Sequence, residues 1–164
     1  MRYKDILTLY DYNDWADKRL LSAAAKVTHE QFIAPAPFPH GSLRGTLVHT
    51  LDGECMWGHL LRAGDWAEEL KEADFPTFAD LEKSWQSEER LMREYLASLD
   101  DEAVQHIVRY ISDTGVQRER ELWHCMFHLV NHGTQHRSEA AALLTEFGQS
   151  PGDVDFTIFL NERK

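Results

Sequence analysis

The sequence predicts an all-α protein, a four-helix bundle with a short irregular or hairpin-like insert between the third and fourth long helices. Three observations lead there. Four long segments repeat apolar residues at helical spacing, capping and stop residues bound them, and the one stretch that alternates instead is short. Amphipathic helices of this length bury their apolar stripes most readily against one another as a bundle. A chain of 164 residues holds one substantial core, so residues 1–164 are taken as a single domain.

The first helix is expected from Tyr3 to Lys26, with Ile6, Leu9, Tyr10, Asn13, Ala16, Leu20 and Ala24 on one stripe. A linker follows in "APAPFPHGS", whose three prolines forbid helix and favour an extended path. Ser42 caps the second helix, which runs to Ala63 and stops at Gly64. Thr77 opens the third, with Asp80 as its capping-box partner and Leu81, Trp85, Leu91, Met92, Tyr95, Leu96 and Leu99 as its apolar residues. The segment "VQHIVRYISDTGVQRER" alternates loosely around "SDTG" and reads as a short hairpin or extended excursion. The fourth helix is expected from Glu119 to Phe147, ended by Gly148 ahead of Pro151.

Composition narrows the function classes. Seventeen Lys and Arg against 28 acids give a net charge of −11, without a basic run, which argues against gripping a nucleic-acid polyanion. The start "MRYKDILTLYDYNDW" mixes charge into every turn and shows no secretion signal. No stretch approaches the roughly 18 apolar residues of a membrane span. Cys55 and Cys125 form no disulfide framework and suit buried, reduced thiols in a cytoplasmic protein.

The chemistry lies in "HCMFHLVNHGTQHR", where His124, His128, His132 and His136 repeat at a spacing of four. On a helix each step advances about 40° and about 6 Å, so adjacent members can share one metal ion. Members eight apart are separated by about 12 Å, far beyond two metal–nitrogen bonds of about 2 Å, so the column must divide. His136 falls inside the apolar arc of Leu129, Ala140, Leu143, Leu144 and Phe147, and His132 lies beside it. His128 is next in line, and His124 faces outward.

A third ligand has to come from elsewhere. His49 projects with Gly53, Met56 and Leu60, an apolar face on which a lone imidazole needs a partner, and Gly53 leaves room beside it. His59 points towards Asp52 and Cys55, His29 and His40 lie in linker, and His106 in the insert. The competing reading is a polar seam without metal, in which His49 merely bonds to a neighbour.

These residues resemble the DinB/YfiT-like family of four-helix metalloproteins, nearly end to end. "YNDWADKRLL" is similar to that family's first-helix signature, and "LVHTLDGECMWGHLL" places His49 and Trp57 at motif positions. "HLVNHGTQHRSEAAALL" resembles its N-H-x-x-x-H-R segment, and "FGQSPGDVDFTIFL" its C-terminal segment. The resemblance implies His49, His132 and His136 as ligands of one divalent transition metal ion, zinc or nickel first. Asn131 and Arg137 also occupy motif positions without an assigned role. Ser138 departs from the glycine common after H-R, and its small size is expected to preserve close packing there.

Three neutral imidazoles leave such an ion positively charged with an open position, which can activate a thiol or a water. The resemblance favours a thiol: characterised relatives include thiol-dependent transferases and an isomerase. The leading expectation is therefore a metal-dependent transferase that activates a low-molecular-weight thiol for attack on an electrophile, with no catalytic side chain assigned. The alternatives are a metal-dependent hydrolase, with Asp52, Glu54 and Glu139 as loose candidates for its base, or a stress-related metal-binding protein without catalysis. Relatives commonly dimerise, so a homodimer is an expectation too.

Overall fold

The computed structural model describes residues 1–163. Its helices are α1 (Tyr3–Ala24), α2 (His29–Ile33), α3 (Leu43–Ala63), α4 (Phe78–Ala97), α5 (Leu122–Glu146) and α6 (Phe156–Glu162). Strands β1 (Ile107–Ile111) and β2 (Gln117–Glu121) form an antiparallel hairpin in which Ile107 pairs with Glu121 and Ile111 with Gln117. The four long helices α1, α3, α4 and α5 build the bundle, with the hairpin between the third and fourth. The all-α bundle is therefore the fold.

Local chemistry sets most boundaries. The Ser42 side chain accepts the Gly45 N–H and starts α3, and Gly64, at φ 90°, ends it. Thr77 and Asp80 form the expected capping box of α4. Three expectations shift. α1 stops at Ala24 rather than Lys26, and α5 begins at Leu122 rather than Glu119 because residues 117–121 pair with β1. His29 is not linker: Thr28 accepts the Gln31 N–H and opens the short α2. The prolines of 34–42 keep the following stretch out of helix, and its loop is closed by Ala36 N–H donating to the Gly41 carbonyl at 2.8 Å.

α6 packs on α1 through the first-helix motif. Tyr12 meets Phe156 edge to face at 5.2 Å and its hydroxyl donates to the Val154 carbonyl, while Trp15 Nε1 donates to Glu162. Ser138 lies exposed, with its hydroxyl donating to the Thr134 carbonyl, so no close packing depends on its size.

The apolar interior divides in two. One cluster gathers Leu20, Leu43, Leu47, Leu51, Trp85 and Leu144, and the other Ile6, Tyr10, Met92, Met126 and Leu129. A polar layer separates them. Arg137 on α5, 1% exposed, donates from Nη1 to Asn13 at 2.6 Å and to Asp17 at 2.9 Å, both on α1. Asn13 Nδ2 donates in turn to Asp17 and to Glu54 of α3. Burial, and then the neighbouring Asp17 carboxylate, push the Glu54 carboxyl well above its ordinary range. The Asp17–Arg137 ion pair and the hydrogen bonds through Asn13 offset the cost of burying these groups.

Among the described residues no helix is long and apolar enough to cross a membrane.

Candidate metal centre

The α3–α5 contact places the histidines. His49 rises from α3, His132 and His136 descend from α5 one turn apart, and His40 reaches in from the loop before α3. Gly53 makes the approach of the two helices possible. A Cβ there would stand 2.8 Å from His132 Cε1 and 3.0 Å from its Nδ1, closer than real side chains pack. The room left by Gly53 thus serves His132 as it leans across towards His49.

Four imidazoles converge. His49 Nε2 and His132 Nε2 are 3.3 Å apart. His136 lies 4.5 Å, centroid to centroid, from both His49 and His132. One ligand nitrogen each from His40, His49 and His136 falls within 4.8 Å of the others. Distance alone therefore groups His40, which sequence reasoning left in linker, with His49 and His136, and leaves the expected ligand His132 outside that set. Nothing in a helical pattern reports where a loop returns. The only signals were three prolines stiffening "APAPFPHGS" and its position immediately before the Ser42 cap.

Ring orientation separates the four. His40 stacks on His49 at 3.8 Å with their planes 15° apart. Imidazole lone pairs lie in the ring plane, so two nearly parallel stacked rings do not aim at a common point. His49 meets His136 at 85° and His132 at 59°, and His132 meets His136 at 65°. Inclined rings can aim their in-plane lone pairs at one ion, and two nitrogens at zinc distances stand about 3.3 Å apart. The imidazole donor set therefore fits a divalent transition metal ion. The His49–His132 contact equally serves as a hydrogen bond between neutral rings.

Electrostatics keep the donors available. Burial first, and neighbouring imidazoles second, lower His49 and His132 to about 4 and lower His40 as well. At neutral pH these rings are uncharged with free lone pairs, the form that binds metal. His136 Nδ1–H donates to Glu139 Oε2 at 2.8 Å, which orients the ring and leaves Nε2 as the ligand atom. Exposure along the column follows the helical drift: His136 is buried, His132 partly so, and His128 and His124 are exposed.

The other polar residues singled out from sequence lie around this group with different duties. Asp52 accepts the Leu70 backbone N–H at 2.7 Å. Glu54 belongs to the buried polar layer and Glu139 to His136. Arg137 locks α5 to α1, Asn131 is exposed, and His59 bonds to Asp65. Neither Cys55 nor Cys125 joins the group, and burial raises both thiols, Cys125 to about 11.

Beside His49 and His132 opens a pocket of about 700 Å³, walled by α3, the following loop and the hairpin. Its size suits a small organic molecule. Compared with known protein families, residues 1–164 match the DinB family over the whole chain.

The chain belongs to the DinB family.

Three of its histidines, His40, His49 and His136, stand close enough together to hold a metal ion. Comparison with curated proteins finds no match.

Proposed function

We propose that this DinB protein is a metal-dependent transferase that activates a low-molecular-weight thiol for attack on an electrophile. His49, His132 and His136 are its ligands for one divalent transition metal ion. The observation that carries this reading is the group of inclined imidazoles, of which His49 and His132 line a pocket of about 700 Å³. A bound ion would hold a thiol as thiolate at neutral pH.

The remaining roles belong to the chain. Glu139 fixes the His136 ring, and Gly53 admits His132. His40 covers the face of His49 by stacking. The pocket holds the electrophile and limits water. The carboxylates that hydrolysis would use as base have other commitments: Asp52 to the Leu70 N–H, Glu54 to the buried layer, Glu139 to His136. Thiolate attack needs no such base once the thiol proton is lost, which favours transfer over hydrolysis.

The test pairs several cellular thiols with alkyl and epoxide electrophiles, using zinc-loaded and nickel-loaded protein. Metal-dependent thioether formation, abolished in His49→Ala, is the expected result. Metal-dependent ester or amide cleavage without thioether formation would replace this reading with the hydrolase.

A further inference from the structure

The hairpin sorts its charges by face. In "QRERE" (Gln117–Glu121) arginine and glutamate alternate, and successive strand side chains point to opposite faces. The register sets Arg118 opposite Tyr110 and Arg120 opposite Val108, so these four share one face. Glu119 lies on the other, where its carboxylate accepts from Arg109 Nε at 2.7 Å. Arg120 is thereby kept apart from the acids beside it in sequence.

This face borders a cleft of about 200 Å³, lined by Trp57, Tyr110, Arg120, His124, Cys125 and His128. No carboxylate lines it, although the chain carries a net charge of −11. Arg120 Nη1 donates to the Glu119 carbonyl at 2.8 Å, and the rest of its guanidinium meets no protein acceptor among the described residues. Trp57, Tyr110 and His128 also line the larger pocket, so the cleft continues that pocket away from His49 and His132. His124 stands about 12 Å along α5 from His132. A molecule with a thiolate at one end and a carboxylate at the other would meet a cation at each. One is the bound ion, and the other is a guanidinium whose fork matches a carboxylate.

We propose that this cleft is the subsite for a carboxylate of the low-molecular-weight thiol, with Arg120 as its anchor. The inference deepens the thiol-transfer reading by naming the class of thiol, and it rests on that reading for the sulfur end alone. The larger pocket is then left to the electrophile.

The test uses cobalt-loaded protein, in which sulfur bound to the ion gives a charge-transfer absorption band. 8-Mercaptooctanoate, 8-mercaptooctanol and 3-mercaptopropionate are titrated at neutral pH against the wild type, Arg120→Met and Arg120→Lys. The longer carbon chain spans about 10 Å, close to the distance between the two ends, and the shorter one falls well short of it. Octanoate and octanol, which lack sulfur, are titrated in parallel by tryptophan fluorescence. Arg120 is exposed on a two-stranded hairpin, so its replacement leaves the bundle standing, and circular dichroism and metal content are recorded for each variant.

In the wild type the long mercapto acid should bind about tenfold more tightly than its alcohol. Arg120→Met should erase that advantage without changing the alcohol, and Arg120→Lys should keep part of it. 3-Mercaptopropionate should bind equally to all three proteins, because its carboxylate stops short of the cleft. Octanoate should exceed octanol only while Arg120 is present.

A long acid that binds no better than its alcohol would overturn the inference. So would an advantage that survives Arg120→Met, or an equal loss for 3-mercaptopropionate in that variant. The two readings fail separately. A sulfur band without any carboxylate preference overturns this subsite alone. An Arg120-dependent octanoate preference in protein that shows no sulfur band overturns thiol activation and leaves the carboxylate subsite standing.

Discussion

His136 and Arg137 are neighbours on α5 and enter two different polar interiors. Arg137 points to α1, where Asn13, Asp17 and Thr134 accept its hydrogen bonds and Glu54 closes the layer through Asn13. His136 points to α3, where imidazoles gather beside an open pocket and bond to one another only at the His49–His132 contact. In the first layer nearly every polar group meets another side chain, with Arg137 Nε left without a partner. The second has donors converging without any protein acceptor to receive them all. Polar groups inside a bundle can hold helices together or hold a ligand, and how fully they satisfy one another tells which.

Substitutions should separate the two. Arg137→Met leaves Asp17 buried without its cation and should cost about 3–5 kcal/mol of stability, read from urea denaturation. The fraction that folds should still bind metal. Metal lost in step with Arg137, from protein that remains fully folded, would place that residue in the site instead.

Gly53→Ala puts a methyl group against His132 and should lower metal affinity by about 10–100-fold, measured by competition with a chromophoric chelator. Unchanged affinity would mean that His132 is not held where the ion sits. Glu139→Gln keeps a hydrogen-bonding group beside His136 but removes its charge. A drop in affinity of about tenfold with an unaltered urea midpoint is expected.

The smallest effect is on pH. In metal-free protein His49 and His132 are lowered to about 4 from an ordinary 6.5. Below pH 6.5 the unfolded chain takes up protons that the folded chain refuses, so stability is fully present above that value. It should decline as pH falls towards 4 and level off below. His49→Ala should flatten part of that slope, and an unchanged slope would show the imidazoles to be solvated rather than clustered.

Much of this was legible as periodicity. The drift of the column assigned inward and outward histidines because burial on one helix depends on angle alone, and His49 stood out as a lone imidazole on an apolar face. Asn13 was legible only as a place in the α1 stripe. That it belongs to a polar layer depends on Arg137 arriving from α5, which no local pattern contains. His40 was missed for the same reason, since a loop's return path is set by tertiary packing. The room at Gly53 was noticed beside His49, but its occupant, His132, comes from the partner helix. The seven-residue α6 is held by Tyr12 and Trp15 rather than by its own propensity.

The most direct test of the metal centre is elemental analysis of untagged protein beside four single variants: His40→Ala, His49→Ala, His132→Ala and His136→Ala. The account predicts about one transition-metal ion per chain in the wild type, retained in His40→Ala and lost in the other three. Metal lost with His40 but kept without His132 would contradict the ligand set. A wild type that stays empty after incubation with zinc and with nickel would contradict the centre itself.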